Sequence, residues 1–319
     1  MKLRLGTRES RLALVQSEQV AVALRRLGAE VELVRITTSG DRLAHVALAD
    51  LGSKAAFVKE IEEAIQDGRV DLGVHSLKDL PAVLPPGLCL AAYPPRADPA
   101  DVLVSRRPGG LHGLPSGALV GTSSLRRRIL LRAARPDLRV EPIRGNVDTR
   151  LRKLEEGAYD AIVLARAGLD RLGLRPATAI PLPPDEFVPA VGQGILALEA
   201  RQTDREVLEL LLGLDDTETR QEAEAERSFL TRLGAGCHTP VAGWARARGS
   251  RLELTGLVAS VDGQTILRTS RTGPPDAAIK LGEAVADELL ARGAAQLLAD
   301  GEARGASTAR GRHGEDRER

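Results

Sequence analysis

Two stretches of the sequence combine hydroxyls, glycine and cations at spacings suited to holding an anion. In "GTSSLRRR", residues 121–128, Thr122, Ser123 and Ser124 end an expected strand and cap the helix after it, where hydroxyls and backbone N–H groups together favour negative charge. Arg126, Arg127 and Arg128 then put three cations in the first helical turn, the end at which the macrodipole disfavours them. A bound anion would remove that conflict; a solvated arginine face would tolerate it. "IRGNVDTR", residues 143–150, repeats the logic at the next strand-to-helix turn: Arg144 leaves the strand, Gly145 and Asn146 permit a tight turn, and Arg150 lies in the helix that follows. Guanidinium groups bind planar carboxylates bidentately, so two adjacent strand ends carrying arginines point to a polyanionic ligand.

The first part of the chain supplies a matching set. "TRES" puts Arg8 and Ser10 at the end of the first strand, "GSKAAF" puts Lys54 and Phe57 at the entry to a helix, and "VHSLKDLP" puts Ser76, Lys78 and Asp79 just past another strand. Asp79 is the carboxylate to single out, at a strand end beside a lysine and before a proline-bounded turn; a plain Lys78–Asp79 turn contact is the common fate of such a pair. Cys237 stands in "LGAGCHTPV" between small residues and a His-Thr-Pro turn, a soft nucleophile on a loop. Cys89, inside the apolar run "LCLAAY", reads as a small buried hydrophobe. His45, His75, His112, His238 and His313 show no metal-ligand spacing with the cysteines, so no metal is expected, and neither "AVGQG" nor "GAGC" matches a dinucleotide or P-loop fingerprint.

The elements that must position these residues read as α/β. "KLRLGT" is a strand and "SRLALVQSEQVAVALRRLG" a helix with Leu12, Val15, Ala23 and Leu27 along one stripe and Gly28 as its stop. "EVELVRI", "DLGVHSL" and "LCLAAY" are strands around a helix at "FVKEIEEAIQDG"; after a break at "PPRADPADV" a second series begins with "ALVGT" and runs to "AIVLAR". "PLPPDEFVPAVGQG" crosses back, so that "ILALEA" and "DREVLELLLGL" complete the first unit. The expected division is residues 1–95 with 195–214 as one lobe, 100–190 as a second, 217–300 as a small α+β unit with a three-stranded antiparallel sheet, and 301–319 as a disordered tail. The third unit opens on a helix with a Thr219 to Glu222 capping-box spacing, which leads into Cys237, and its meander turns at Asp262–Gly263.

Composition narrows the partners. The chain has 319 residues, a net charge of +1 and 2% aromatic residues, which disfavours a nucleic-acid binder despite "SLRRR". Lysine occupies six positions, so 39 of the 45 basic residues are arginine, and each arginine must be argued from its position rather than its type. Two cysteines 148 positions apart, with no apolar leader in "MKLRLGTRES" and no run of membrane-span length, lead to the expectation of a cytoplasmic protein, with a monomer as the default.

"TRESRLAL", "HSLKDLP", "GTSSLRRR", "RGNVDTRL", "PAVGQG" and "GAGCHTP" resemble, in order and spacing, the hydroxymethylbilane synthases, also called porphobilinogen deaminases, from about Leu3 to about Ala299. The resemblance implies two lobes like those of periplasmic binding proteins around a cleft, and a third domain whose Cys237 carries a dipyrromethane cofactor through a thioether. It implies a transferase that condenses four porphobilinogen molecules onto this primer, losing ammonia each time, and then releases hydroxymethylbilane by hydrolysis. Each pyrrole bears an acetate and a propionate, which accounts for the arginines. By the same resemblance, Lys78, Ser76, Thr122, Ser123, Ser124, Arg126, Arg127, Arg144 and Gly145 hold the cofactor. Arg8, Ser10, Lys54, Phe57, Arg144, Arg150, Arg171 and Gln193 meet substrate, and Asp79 is catalytic, stabilising the cationic azafulvene left by ammonia loss. A solute-binding protein would share the two-lobed plan but explains neither the third domain nor its lone cysteine.

Overall fold

Short runs of Leu, Val and Ile become buried strands in the computed structural model, which describes residues 1–39, 58–235 and 239–300. The first series is β1 (Lys2–Thr7), α1 (Arg11–Arg26), β2 (Glu30–Arg35), α2 (Lys59–Gln66), β3 (Leu72–Ser76) and β4 (Leu88–Ala92). The second is β5 (Asp101–Ser105), β6 (Leu119–Gly121), α3 (Leu125–Ala134), β7 (Arg139–Glu141), α4 (Val147–Glu155), β8 (Ala161–Ala165), α5 (Arg166–Arg171) and β9 (Ala179–Leu182). The chain returns through β10 (Leu196–Arg201) and α6 (Arg205–Leu212), then continues into α7 (Thr217–Arg232), β11 (Val241–Arg248), β12 (Arg251–Ala259), β13 (Ile266–Gly273) and α8 (Ala278–Ala291).

Two sheets share one plan. In β2-β1-β3-β10-β4, β1 is parallel to β2 and β3 while β10 runs antiparallel to β3 and β4. In β7-β6-β8-β5-β9, β6 is parallel to β7 and β8 while β5 runs antiparallel to β8 and β9. Each sheet's inner antiparallel strand therefore arrives from the other lobe, β5 after the first crossover and β10 after the second. Strands β5 and β9 are absent from the sequence reading, which placed a break over residues 94–102. Pro and Asp mark that stretch as loop, and a fully buried five-residue run lacks the alternation that identifies a strand.

The third sheet, β11-β12-β13, is antiparallel, as expected from the sequence, with Gly263 in the hairpin turn at φ 77°. Ala242, Leu257 and Ala259 join the core of the second lobe beside Leu103, Val120 and Phe187, while Ala223 of α7 packs with Leu77, Leu80 and Tyr93 of the first. The third unit is thus seated on both lobes.

Three local expectations are corrected. The core face of α1 is Val20, Ala21 and Leu24 rather than Leu12, Val15, Ala23 and Leu27; Leu27 is exposed beside Gly213, and Leu12 points toward Gly168 of the second lobe. The N-cap of α7 is Asp216, whose carboxylate accepts the Thr219 N–H at 2.8 Å, because Thr219 instead accepts the Arg96 N–H at 2.9 Å. Cys89 is half-buried, since β4 is an edge strand.

Beneath α2 the first lobe buries a polar group the sequence did not signal. His75 Nε2 of β3 lies 2.9 Å from Glu199 Oε2 of β10, and burial together with Glu199 pushes the Glu62 carboxyl of α2 from 4.5 up to about 7. A carboxyl whose pKa rises on folding stabilises the fold fully below its unfolded value and loses that contribution as pH climbs through its folded value. Glu62→Gln is therefore expected to raise the melting temperature at pH 8 by roughly 1–2 °C, the shift about 1 kcal/mol gives in a chain of this size, with little change at pH 4. Thermal melting at the two pH values checks this; equal shifts at both would contradict it.

Candidate active site

The start of α3 is an unfavourable place for cations, yet Arg126 and Arg127 are 5% and 8% exposed there. Asp101, the fully buried first residue of β5, accounts for them. Its Oδ2 lies 2.8 Å from Arg126 Nη2, and its Oδ1 accepts Arg127 Nε–H at 3.0 Å and Nη2–H at 2.7 Å. Val188 O accepts from Arg126 Nη1 at 2.8 Å and Val163 O from Arg127 Nη1 at 3.0 Å. Burial alone would raise the Asp101 carboxyl, but the facing guanidinium groups hold it well below the usual carboxylate range. Of the two readings left open by the sequence, a bound anion or a solvated arginine face, neither is complete: part of the anion is the protein's own. Two guanidiniums against one carboxylate still leave a net positive charge, and Arg126 Nε is buried with no hydrogen-bond partner.

Around this group the turns are tightly fixed. Ser124 caps α3 by accepting the Arg127 N–H at 3.4 Å, Thr122 Oγ1 accepts the Ser124 N–H at 3.2 Å, and Ser123 Oγ donates to Ile143 O at 2.6 Å. At the next turn Gly145 has φ 109°, and a Cβ there would come 2.6 Å from Thr149 Cγ2, so no side chain fits. Asn146 caps α4, and Arg150 Nε donates to Gly145 O at 2.8 Å. Lys153 Nζ reaches Arg144 O at 3.3 Å.

Arg150 and Arg171 are half-buried cations without a carboxylate partner among the described residues. Burial, with Arg127 nearby, lowers the Arg150 pKa to about 10, and burial alone lowers Arg171 to about 10. The Arg171 Nη2–H goes to Gly194 O at 2.7 Å. Partly desolvating a cation without a counter-charge carries a cost, and carboxylates on a bound molecule would supply what the protein lacks.

On the first-lobe side, β3 ends at Ser76, whose hydroxyl oxygen accepts from Gln16 Nε2 at 3.0 Å, and a single 3-10 turn carries Leu77, Lys78 and Asp79. Asp79 is half-buried and Leu80 after it is buried. Ser10 caps α1, accepting the Ala13 N–H at 3.3 Å, with Arg8 just before it. Gln193, 1% exposed on the second crossover, ties the two sides together. Its Oε1 lies 3.5 Å from Lys78 Nζ and 3.4 Å from Arg127 Nη2, while its Nε2 donates to Asp101 Oδ1 at 2.8 Å and Pro99 O at 2.7 Å. Gly192 packs so closely on the Asp79 turn that a Cβ would lie 2.9 Å from Lys78 N.

Helix α7 fixes the same crossovers. Arg96 Nη1 binds Glu222 at 2.9 Å and Glu226 at 2.8 Å, and the fully buried Glu226 also accepts the Gly192 N–H at 2.5 Å and the Ala245 N–H at 2.8 Å. Burial pushes the Glu222 carboxyl up to about 7 against the pull of Arg96. Arg227 donates to Pro81 O at 3.1 Å and Ala82 O at 2.8 Å, just past Asp79. Beyond the helix, the Gly243 N–H of β11 donates to Pro189 O at 3.1 Å, so the elements on either side of residues 236–238 both meet the second crossover.

The structure brings Lys78, Arg126, Arg127 and Gln193 into one connected group through Asp101, with Asp79 on the turn that carries Lys78 and Ser76 just before it, bonded to Gln16. Lys54, Phe57 and Cys237 lie outside the described residues. Asp101, Arg96 and Glu226 are site residues the sequence reading missed. The only available signal was an acidic residue opening a short apolar run, "DVLVS". Among the described residues no group of His, Cys, Asp and Glu is placed to hold a metal, and no helix is long and apolar enough to cross a membrane.

Comparison with known proteins matches residues 3–209 to a family model described as porphobilinogen deaminase, dipyrromethane cofactor binding domain, and residues 220–291 to porphobilinogen deaminase, C-terminal domain. The chain is 53% identical over 299 residues to the porphobilinogen deaminase of Roseiflexus sp. (strain RS-1), covering 93% of this chain and 98% of that protein. It is 49% identical over 298 residues to the porphobilinogen deaminase of Syntrophobacter fumaroxidans, covering 93% and 96%. Among solved structures it is similar to a nutrient binding protein from Burkholderia cenocepacia bound to methionine (13% identity, TM-score 0.41, 72% of this chain and 95% of that one). It is also similar to the periplasmic aliphatic sulphonate binding protein SsuA from Escherichia coli (15% identity, TM-score 0.38, 72% and 70%). These two overlays are loose, and the two-lobed plan rests on the sheet orders themselves.

Proposed function

The chain belongs to the porphobilinogen deaminase family, whose members polymerise porphobilinogen to hydroxymethylbilane, and from that premise we propose which of its residues carry the reaction. It is a transferase of tetrapyrrole synthesis with a dipyrromethane cofactor. That group, joined through a thioether to Cys237, supplies the end to which each porphobilinogen is added. The residues present fit it: buried Arg126 and half-buried Arg150 and Arg171 bring guanidinium charge with too few carboxylates to balance it, and the group carries carboxylates.

Lys78, Arg126, Arg127 and Arg144 hold the cofactor carboxylates, with Ser76, Thr122, Ser123, Ser124 and Gly145 shaping the turns that present them. Arg8, Ser10, Lys54, Arg144, Arg150 and Arg171 take the carboxylates of incoming porphobilinogen, and Phe57 offers a ring face. Gln193 acts from behind as the tie between Lys78, Arg127 and Asp101. When the aminomethyl C–N bond of porphobilinogen breaks, ammonia leaves with the bonding pair and the remaining methylene-pyrrole is a cation. Asp79 faces that charge: its carboxylate accepts the pyrrole N–H hydrogen bonds, stabilises the cation and receives protons released as the new carbon–carbon bond forms. Its half-buried position on the turn after β3 leaves it reachable.

Residues 1–95 with 195–214 form the first lobe, 100–190 the second and 217–300 the cysteine-bearing domain, with 301–319 as a tail outside the reaction. The enzyme works as a cytoplasmic monomer. The observation that carries the residue assignments is the shortage of carboxylates around Arg126, Arg127, Arg150 and Arg171. Arg150→Gln is expected to lower kcat/KM for porphobilinogen by about 10- to 100-fold, the worth of one charge-assisted hydrogen bond. An unchanged kcat/KM in steady-state assays of ammonia release would remove Arg150 from the site.

A further inference from the structure

Between the two lobes, the first turns of α1 and α4 meet. Arg11 Nη1 of the first lobe lies 2.6 Å from Asp148 Oδ1 of the second, with side chains 54% and 39% exposed. Arg11 follows Ser10, the cap of α1, and Arg8; Asp148 stands between Arg144 and Arg150 on the turn capped by Asn146. The pair is therefore flanked on both sides by residues assigned to substrate carboxylates. Beside it the lobes touch through Leu12, whose Cδ2 would lie 3.8 Å from a Cβ on Gly168. An exposed ion pair and a leucine over a glycine surface are contacts that separate at little cost.

The two partners are not equivalent. Asp148 sits where the macrodipole of α4 favours an acid, so it is at ease without Arg11. Arg11 sits in the first turn of α1, where the macrodipole disfavours a cation, and it gains from whichever anion approaches. We propose that Arg11 and Asp148 form a latch between the two lobes, and that a carboxylate of the growing pyrrole chain displaces Asp148 from Arg11 and so lets the lobes move apart. The identity of the displacing carboxylate rests on the reading of function given above. The latch itself does not.

The test compares the parent with Asp148→Asn, Arg11→Gln and the exchanged pair Arg11→Asp with Asp148→Arg, all at exposed positions. Without substrate, small-angle X-ray scattering is recorded at about 0.02 M and about 0.5 M salt, since an exposed pair is screened by salt. The expected result is a radius of gyration that grows with salt in the parent, is already larger and salt-independent in both single variants, and regains its salt response in the exchanged pair. The same radius in all four proteins at both salts overturns the latch. With porphobilinogen, intact-mass analysis of successive additions at low salt is expected to show late additions about two- to fivefold faster in Asp148→Asn, as loss of a pair of this kind allows, with the first addition unchanged. Equal acceleration of every addition, or none, overturns the displacement step. If scattering shows the latch but no protein ever gains a pyrrole, the functional reading fails and the latch stands.

Discussion

Asp79→Asn is expected to lower turnover by about a thousandfold while leaving a folded protein that still carries its cofactor. The amide keeps the size and can still accept a hydrogen bond, so the 3-10 turn of Leu77, Lys78 and Asp79 should persist. What disappears is the negative charge facing the cation left by ammonia loss and the group that takes up protons. General acid–base participation is worth about 10²–10⁴ in rate, and one preorganised electrostatic partner about 10²–10³. Because the effect arises after binding, kcat should fall and KM should change little. Steady-state kinetics together with the intact mass of the variant checks both halves. Retention of more than about a tenth of parent activity would show that another group carries the charge.

The second large effect is on stability. Asp101→Asn would leave Arg126 and Arg127 buried without their counter-charge, and breaking a buried ion group from one side costs about 3–5 kcal/mol. Asp101 has a folded-state pKa below its unfolded value, so its contribution is complete above the unfolded value and is lost as pH falls through the folded one. The variant should therefore be most impaired relative to the parent at neutral pH and converge on it in strong acid. Denaturant unfolding at pH 7 and pH 3 would show it. A loss below about 1 kcal/mol at pH 7 would mean that water or a rearranged guanidinium replaces the carboxylate.

Much of this site can be read from residue order, and the parts that cannot have definite causes. Strand-to-helix turns announce themselves by Ser, Thr, Asn and Gly, so the cap at Ser124 falls where spacing puts it, while Ser10 and Asn146, legible only as a strand end and a turn, prove to be caps as well. The three arginines after Ser124 also reveal a conflict with the helix dipole. Their solution does not show, because Asp101 is 25 residues upstream and is brought there only by the antiparallel entry of β5 between β8 and β9. Gln193 is similar: "PAVGQG" marks a turn, but its four-way tie among Lys78, Arg127, Asp101 and Pro99 exists only once both crossovers are in place. The face of α1 is hidden from the sequence for a related reason. Leu12 and Leu27 are apolar, yet one meets the other lobe and the other lies against Gly213, while the sheet takes Val20, Ala21 and Leu24. Contacts between units obey no sequence period.

The most direct measurement is the intact mass of the purified chain beside its Cys237→Ser variant, before and after porphobilinogen is added. The expected result is a parent heavier than its sequence by two pyrrole units, a variant at its sequence mass, and further pyrroles gained by the parent alone with one ammonia released for each. A parent that stays at its sequence mass after porphobilinogen is added, or a variant that gains pyrroles as the parent does, would contradict the assignment of Cys237 as the point from which the chain is built.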